Sequence, residues 1–423
     1  MADRRPDDFP HVSAVLPLYG LYVANAISRI GDTLMLLALP WFVLQSTGSV
    51  ALTGLAAAAA TAGVALAGLT GAVLVDAWGK KRVSVLSDLL SGLVVLAVPV
   101  LYRAHALPFG GLMALVFLAG LSTTPGNTAR TALLPRLVDR AHANLDRVNT
   151  VVDGVNRIGT LVGAPLAGVL IAVMGALNLF ALDGMSFLAS ASLLLLLIPR
   201  LAVSESAPPT ALRNTIAHLG EGVRFIRRHP MLRSLMLVVM VTNLLDGGLY
   251  SVLAPAFIRS TYHSAVLFGE VGGALGLGAV VGTVLYGWFG YRLPRRATFV
   301  GGYLAAGAPR FWVLALVPWA TPLLLLTGLL SIGIGPLNPA IHTAMYQAVP
   351  PRLQPRVFGA LTTGVTLGTP VGAVLAGSLA ALASPWGAIL IFSGLYLAAT
   401  VALAVNPSLK TMAASTTPVP AAL

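Results

Sequence analysis

The chain has 423 residues, of which 57% are hydrophobic and only 9% are charged, and its formal net charge is +12. Soluble domains contain about 25% charged residues, so this composition excludes an ordinary water-soluble protein and makes lipid the solvent for most of the chain. The sequence has no cysteine, which excludes disulfides and thiolate metal sites.

Apolar stretches long enough to cross about 30 Å of hydrocarbon recur along the whole sequence, separated by short basic or Pro/Gly-rich breaks. Uninterrupted apolar runs such as 190–198 contradict the alternating polarity that a transmembrane β-barrel requires. The sequence therefore predicts an all-α polytopic membrane protein. Its twelve predicted transmembrane helices are 16–44, 50–75, 83–103, 109–134, 151–175, 178–198, 234–258, 264–290, 297–317, 321–347, 357–382 and 385–405.

The lysines and arginines sort to one side of this predicted membrane. With both termini inside, all but five of the 26 fall on inner segments. Arg103 and Arg259 lie in outer loops, while Arg29, Arg157 and Arg310 lie within spans. Because cytoplasmic loops carry the excess of basic residues, both termini are predicted to be cytoplasmic, in a bacterial inner membrane. The charge then needs no nucleic-acid ligand.

The longest hydrophilic stretch falls near the midpoint and divides the spans into six and six. Two pseudo-symmetric six-helix bundles joined by a cytoplasmic linker are therefore expected, followed by a disordered cytoplasmic tail. The predicted boundaries are 1–198 for the first bundle, 199–233 for the linker, 234–406 for the second bundle and 407–423 for the tail.

Internal repeats support this division, because three motifs of the first half recur in the same order in the second. The segments 71–79 and 282–290 match at an offset of 211, and Pro-Arg-Leu occurs at 135–137 and again at 351–353. The third pair, at an offset of 205, is Gly159, Gly163 and Pro165 with Gly364, Gly368 and Pro370. These glycines predict close helix contact and the prolines permit kinks, which suits either a sliding interface or static packing.

Several segments resemble a known family. Residues 71–83, GAVLVDAWGKKRV, resemble the loop signature of the major facilitator superfamily, although Gly71 stands one place earlier than the usual glycine. The segments 28–49, 128–138, 221–233 and 350–361 are similar to the macrolide-efflux-type branch of its drug:proton antiporters. The antiporter motif of the fifth span usually reads Gly-Pro, where this chain has Gly-Ala-Pro at 163–165, and Arg130 lies nearer the inner end of the predicted fourth span.

The resemblance implies a monomeric secondary exporter without a cofactor, whose partners are an amphipathic small molecule, protons and membrane lipid. It also implies a gate formed by the loop between the second and third spans: Asp76, Gly79, Lys80, Lys81 and Arg82. Plain anchoring by positive charge is the alternative for the three basic residues. Asp153 and Arg157, four residues apart and close to Arg130, are interpreted as a cytoplasmic-side network.

Ionisable side chains in the middle of a span are the candidates for proton and substrate binding, because they are costly to bury in lipid. In the first half these are Arg29 and Asp32, with the polar Asn25 on the same helical stripe, and a structural ion pair of Arg29 and Asp32 between helices is the alternative. In the second half they are Asp246, Glu270 and Arg310, with Asp183 and His342 as further candidates. Arg310 either pairs with Asp246 or Glu270 or meets an anionic substrate.

No phosphate-binding loop, HExxH motif or G-x-S-x-G elbow occurs in the sequence, which disfavours ATP-driven pumping and enzymatic chemistry. The predicted function is export of amphipathic compounds by multidrug or macrolide-like, proton-coupled antiport. Two alternatives stay open: a dedicated exporter of one metabolite, such as a siderophore or antibiotic, and a non-transporting scramblase or scaffold.

Overall fold

A computed structural model describes residues 12–199 and 212–408 of the chain. Helices dominate these residues. In the first half they are α1 (Val12–Thr47), α2 (Val50–Trp78), α3 (Lys80–Arg103), α4 (Phe109–Arg140), α5 (Leu145–Met174) and α6 (Ala176–Leu197). The second half contains α7 (Leu212–Arg228), α8 (Pro230–Gly248), α9 (Ala254–Tyr262), α10 (Ala265–Phe289), α11 (Arg295–Ala306), α12 (Ala308–Leu316), α13 (Ala320–Ser331), α14 (Leu337–Ala348) and α15 (Gln354–Val405).

Ten helical segments of the described residues are long and apolar enough to cross a membrane. The longest, Pro351–Val405, is two helices joined at Ala383 and Ser384, whose backbone angles are not helical. Helix α5 adds a shorter apolar stretch, Leu161–Met174. Counting both gives twelve membrane helices, as the sequence predicts.

Three predicted spans contain interruptions that hydropathy does not reveal. A π-helical turn at Leu249–Leu253 connects α8 and α9 within the seventh span. The ninth span was predicted as one helix, but Gly307 (φ −89°, ψ −119°) divides it into α11 and α12. A 3₁₀ turn at Ile332–Ile334 lies between α13 and α14 of the tenth span.

The predicted linker 199–233 is not simply a loop. Residues 212–228 form the amphipathic helix α7, and α8 begins already at Pro230. The predicted tail beyond Ser408 lies outside the described residues.

The chain divides into two compact units. The first contains α1 as far as Phe42 and the helices from Ala59 of α2 through α6. The second contains the segment Val43–Ala58 and everything described from Ile216 onward.

In each unit, a basic residue at the start of one helix bonds to carbonyl oxygens near the end of another. In the first unit, Lys81 Nζ at the start of α3 donates to the carbonyl oxygens of Leu195 (2.9 Å) and Ile198 at the end of α6. In the second, Arg296 Nη2 at the start of α11 donates to the Ala404 carbonyl near the end of α15 at 2.7 Å. A basic group at a helix C-terminus satisfies free carbonyls and favours the helix dipole.

Candidate functional site

The first unit contains a buried polar network between α3, α4 and α6. Arg130 Nη2 donates to Asp88 Oδ1, and Ser190 Oγ donates to Asp88 Oδ2 at 2.6 Å. The Arg130 side chain is 5% exposed and that of Asp88 2%. Burying both charges is costly unless they are paired and hydrogen-bonded, and this network supplies both conditions.

Small residues allow these helices to come close enough for the network to form. A Cβ atom placed on Gly92 of α3 would lie 3.0 Å from the Gly184 carbonyl oxygen of α6. One placed on Gly126 of α4 would lie 2.9 Å from Ser87 Cβ of α3. The close approach brings Ser190 and Arg130 within reach of the short Asp88 side chain.

Arg130 lies nearer the C-terminal end of α4 than its start, as the sequence predicted for the fourth span, but the helix extends further than that span. The span was expected to end at 134, but α4 continues to Arg140, which places Arg130 inside the helix and buries it. Its guanidinium forms an ion pair with Asp88 and also donates to Ser190 Oγ at 3.4 Å and to Asn127 Oδ1 at 3.5 Å. Its predicted network with Asp153 and Arg157 cannot be followed, because those two side chains lie outside the described residues.

Asp88 is the site residue that sequence reasoning missed. It stands inside the predicted third span, and Ser84, Ser87 and Ser91 share its helix face at spacings of three and four residues. Ser91 Oγ donates to Ser122 Oγ of α4 at 3.1 Å, which continues the polar face by one turn. This serine and aspartate spacing was the signal that could have identified Asp88.

Arg29 and Asp32 form a second ion pair, within α1. Arg29 Nη1 lies 3.7 Å from Asp32 Oδ2, and the side chains are 41% and 28% exposed. The ion pair that the sequence offered as the alternative is therefore present, but it lies within α1 and not between helices. Asn25 is half-buried one turn earlier on α1. The Asp32 side chain is thus partly accessible, whereas that of Asp88 is not.

Asp183 of α6 packs directly against α1 beside this pair. A Cβ atom placed on Gly31 would overlap the Asp183 carboxylate, so the absence of a side chain at Gly31 makes room for it. The Asp183 side chain accepts a hydrogen bond from Ser186 Oγ at 3.5 Å and is buried. The first unit therefore holds carboxylates on α1 and α6 in neighbouring positions.

The second unit has its own arginine cluster, at the broken ninth span. Arg310 Nη2 donates to Asp246 Oδ1 at 2.9 Å, which confirms one of the two predicted ion pairs. Arg310 Nη1 donates to Tyr250 OH at 2.8 Å, and Nε donates to the Ala306 carbonyl oxygen. The Arg310 side chain is 4% exposed and that of Asp246 30%.

The break at Gly307 and the π-helical turn at Leu249–Leu253 determine the positions of Arg310 and Tyr250. The Arg310 backbone N–H donates to the Gly307 carbonyl oxygen at 3.1 Å and not to the carbonyl oxygen of Ala306, four residues earlier. The Ala306 carbonyl oxygen therefore accepts a hydrogen bond from the Arg310 side chain instead. Tyr250 lies in the π-helical turn that follows α8. Such turns are frequent at functional sites.

The remaining candidates of the second unit take different positions. Glu270 is exposed on α10, and the carboxylate bonded to Arg310 is that of Asp246. His342 of α14 stacks on Phe358 of α15, with ring centroids 5.6 Å apart and planes 8° from parallel. This contact supports the packing interpretation of His342.

The predicted gate loop forms a tight turn between α2 and α3. Gly79 has φ 84° and ψ 147°, a conformation that favours glycine. Lys80 Nζ donates to the Ala132 carbonyl of α4 at 2.8 Å. Asp76 and Arg82 are exposed on either side of the turn. Lys80 and Lys81 both bond to main-chain carbonyls, which an anchoring role explains without gating.

The repeated glycine faces make equivalent contacts in the two units. A Cβ atom on Gly163 of α5 would lie 2.9 Å from Thr33 Cγ2 of α1, and one on Gly159 would lie 3.7 Å from Arg29 Cβ. In the second unit, a Cβ atom on Gly368 of α15 would lie 3.4 Å from the Met240 carbonyl oxygen of α8, and one on Gly364 would lie 2.8 Å from Met236 Cε. The predicted close helix contact is thus found at Gly163 and Gly364. Pro165 and Pro370 lie within their helices.

Beside the α1–α5 contact lies an apolar groove of about 240 Å³. Its lining residues are Ala26, Ile30, Val155, Ile158, Gly159, Val162, Gly163 and Leu166. Ala26 and Ile30 flank Arg29 on α1, so an apolar surface and a partly exposed ion pair lie close together on one helix.

Comparisons with known proteins agree with this architecture. The multidrug efflux pump Tap of Mycolicibacterium fortuitum is 32% identical over 368 residues, which are 86% of this chain and 89% of Tap. The enterobactin exporter EntS of Shigella boydii serotype 4 is 27% identical over 383 residues, 86% of this chain and 85% of EntS.

Among solved structures, the nucleoside transporter NupG aligns with a TM-score of 0.76, covering 92% of this chain and 98% of NupG. At 12% identity it supports the fold alone. The sequence pattern of the Major Facilitator Superfamily matches residues 21–249 and 235–416. This chain therefore belongs to the Major Facilitator Superfamily, a family of multi-pass membrane transporters and not of enzymes.

Proposed function

We propose that this protein is a secondary exporter of amphipathic or lipophilic compounds. Its similarity to Tap, whose name describes a multidrug efflux pump, extends over 86% of the chain. An apolar groove beside an ion pair is the kind of surface on which a molecule with an apolar body and a charged group can bind. The protein acts by alternating access, without a cofactor, as a monomer in a bacterial inner membrane with both termini in the cytoplasm.

Proton coupling is the second part of the proposal, and Asp32 is the residue proposed to carry it. The observation that supports it is the 28% exposure of the Asp32 side chain inside a membrane helix. A carboxylate kept in a membrane span usually serves a proton or substrate path. Protonation of Asp32 would break its ion pair with Arg29, because a neutral carboxyl group no longer attracts the Arg29 guanidinium.

Proton movement in proteoliposomes tests both parts. A pH-sensitive dye reports flux while lipophilic cations, macrolides and anionic siderophore-like compounds are added in turn. We expect flux with several unrelated cations. Asp32→Asn should abolish uphill export while preserving substrate binding, and Asp139→Asn, which removes an exposed carboxylate at the end of α4, should leave transport unchanged. Uphill export by the Asp32→Asn variant would remove Asp32 from the mechanism.

A dedicated exporter of one anionic compound is the second candidate. The similarity to EntS, named an enterobactin exporter, favours it. Arg310 is the cation proposed to meet such a substrate when Asp246, which is 30% exposed, becomes protonated. Flux with a single anionic compound, lost in the Arg310→Gln variant, would select this candidate, and silence across the whole panel would favour a non-transporting protein.

A further inference from the structure

Helix α7 lies between the two predicted bundles in the sequence and packs by one face on the start of α15. A Cβ atom placed on Gly222 would overlap the Arg356 carbonyl oxygen, so the two backbones touch there. Ile226 is 2% exposed, and Leu219 Cδ2 lies 3.6 Å from a Cβ placed on Gly359. The apolar face of α7 is therefore already occupied.

An ion pair stabilises the packing of α7 on α15 and neutralises the acidic residue of α7. Arg356 Nη1 of α15 donates to Glu221 Oε2. Glu221 is the one acidic residue in the α7 sequence. Its pairing leaves the rest of the helix with a positive charge.

The exposed face of α7 presents arginines close to the start of a membrane-crossing segment. Arg224, Arg227 and Arg228 are exposed and spaced three and four residues apart, which places them on one helix face. Arg228 is two residues before Pro230, where the membrane-crossing segment Pro230–Tyr262 begins. Arg233 in the first turn of that segment is also exposed. Four guanidinium groups thus lie within ten residues, next to the start of a membrane helix.

We propose that this face of α7 is a binding surface for the phosphate headgroups of anionic phospholipids such as phosphatidylglycerol. A guanidinium donates two parallel hydrogen bonds to a phosphate, and a basic amphipathic helix beside a membrane span is suited to anionic headgroups. The packing on α15 and the Glu221–Arg356 pair hold the arginines in place, which reduces the entropy lost on binding. The surface is independent of the transported substrate and of proton coupling.

Lipid titration of the full-length protein in neutral detergent tests this surface. Native mass spectrometry counts bound molecules of dioctanoyl-phosphatidylglycerol and, separately, of dioctanoyl-phosphatidylcholine. We expect the wild-type protein to prefer phosphatidylglycerol by at least roughly tenfold, because each basic residue near an anionic headgroup contributes about fivefold. Arg224→Gln/Arg227→Gln/Arg228→Gln should remove that preference, while the same three changes to Lys should retain most of it.

A second triple variant separates this surface from total charge. Arg140, Arg292 and Arg352 are exposed arginines outside α7, and changing them to Gln removes the same charge. We expect this variant to keep the preference for phosphatidylglycerol. An equal loss in both triple variants, or no preference in the wild type, would overturn the proposal. Displacement of the lipid by millimolar inorganic phosphate would also overturn it, because the surface would then bind free anions.

Discussion

Among the described side chains, each unit has one buried arginine inside a membrane-spanning segment, and the exposure of its acidic partner differs between the two units. Arg130 pairs with Asp88, whose side chain is 2% exposed, whereas Arg310 pairs with Asp246, whose side chain is 30% exposed. Arg130 is held between two continuous helices and Ser190 of a third, while Arg310 lies beside a helix break and a π-helical turn. The first pair is thus enclosed by protein, and the second has one open side.

This difference bears on which carboxylates can act in transport. A proton or a substrate reaches a group only where the protein leaves it accessible, which favours Asp246 and the 28% exposed Asp32 over Asp88. Breaking either pair leaves an arginine side chain that is at most 5% exposed. The loss of stability should be larger for Arg130, because its remaining hydrogen bonds to Asn127 and Ser190 are long, at 3.5 and 3.4 Å. Arg310 keeps a 2.8 Å bond to Tyr250 and its bond to the Ala306 carbonyl oxygen.

The largest effect is expected for Asp88→Asn. It leaves the Arg130 guanidinium without a counter-charge, and such losses reduce the free energy of unfolding by about 3–5 kcal/mol. Thermal unfolding of the purified protein in detergent measures the loss. Asp139→Asn, an exposed carboxylate on the same unit, is the control and should change little.

Asp246→Asn makes the comparison direct. We expect it to destabilise the protein less than Asp88→Asn, because Arg310 keeps its bonds to Tyr250 and Ala306 and the site is partly open. Equal losses for the two variants would mean that the difference in exposure has no energetic consequence.

The double variant Asp88→Leu/Arg130→Met should recover most of the loss caused by Asp88→Asn. Replacing a whole buried ion pair with well-packed apolar residues is often neutral, or stabilises the protein by about 1–4 kcal/mol. Unfolding temperature and transport are measured on the same preparation. If the double variant regains stability but does not transport, the Asp88–Arg130 pair is needed for the transport cycle. If it regains both stability and transport, the pair is needed only for folding.

Arg310→Lys should have a smaller effect, about 1–3 kcal/mol. A single ammonium cannot reach Asp246, Tyr250 and the Ala306 carbonyl together, so at least one buried polar group loses its partner. Arg140→Lys, at an exposed position, controls for the substitution itself. An unfolding free energy of Arg310→Lys equal to that of the wild type would contradict a stabilising role for the three hydrogen bonds of the Arg310 guanidinium.

Tyr250→Phe should have the smallest effect, about 0.5–1.5 kcal/mol. It removes one hydrogen bond from Arg310 and keeps the ring. Tyr346→Phe, an exposed tyrosine, is the matched control. A loss of unfolding free energy as large as that of Arg310→Lys would show that the hydrogen bond to Tyr250 accounts for the whole stabilising effect of the Arg310 side chain.

Particular residues show which features of the structure could be predicted from the sequence. Hydropathy located the break between the eleventh and twelfth spans at 382–385, where the backbone leaves helical geometry at Ala383 and Ser384. It could not locate the break at Gly307, because a glycine between alanines is as apolar as the helices on either side. Asp246 and Arg310 were both identified, yet the choice between Asp246 and Glu270 as partner depended on which helix faces meet.

The sequence by itself determined that the chain crosses a membrane with twelve helices, which segments do so, and that its halves repeat. Those properties follow from local hydrophobicity, charge and short spacings. Only the tertiary structure decided that Arg130 pairs with Asp88 across 42 positions and that Asp183 packs against Gly31. Such contacts depend on the rotation and spacing of packed helices, and residues that are neighbours in space but distant in sequence set both.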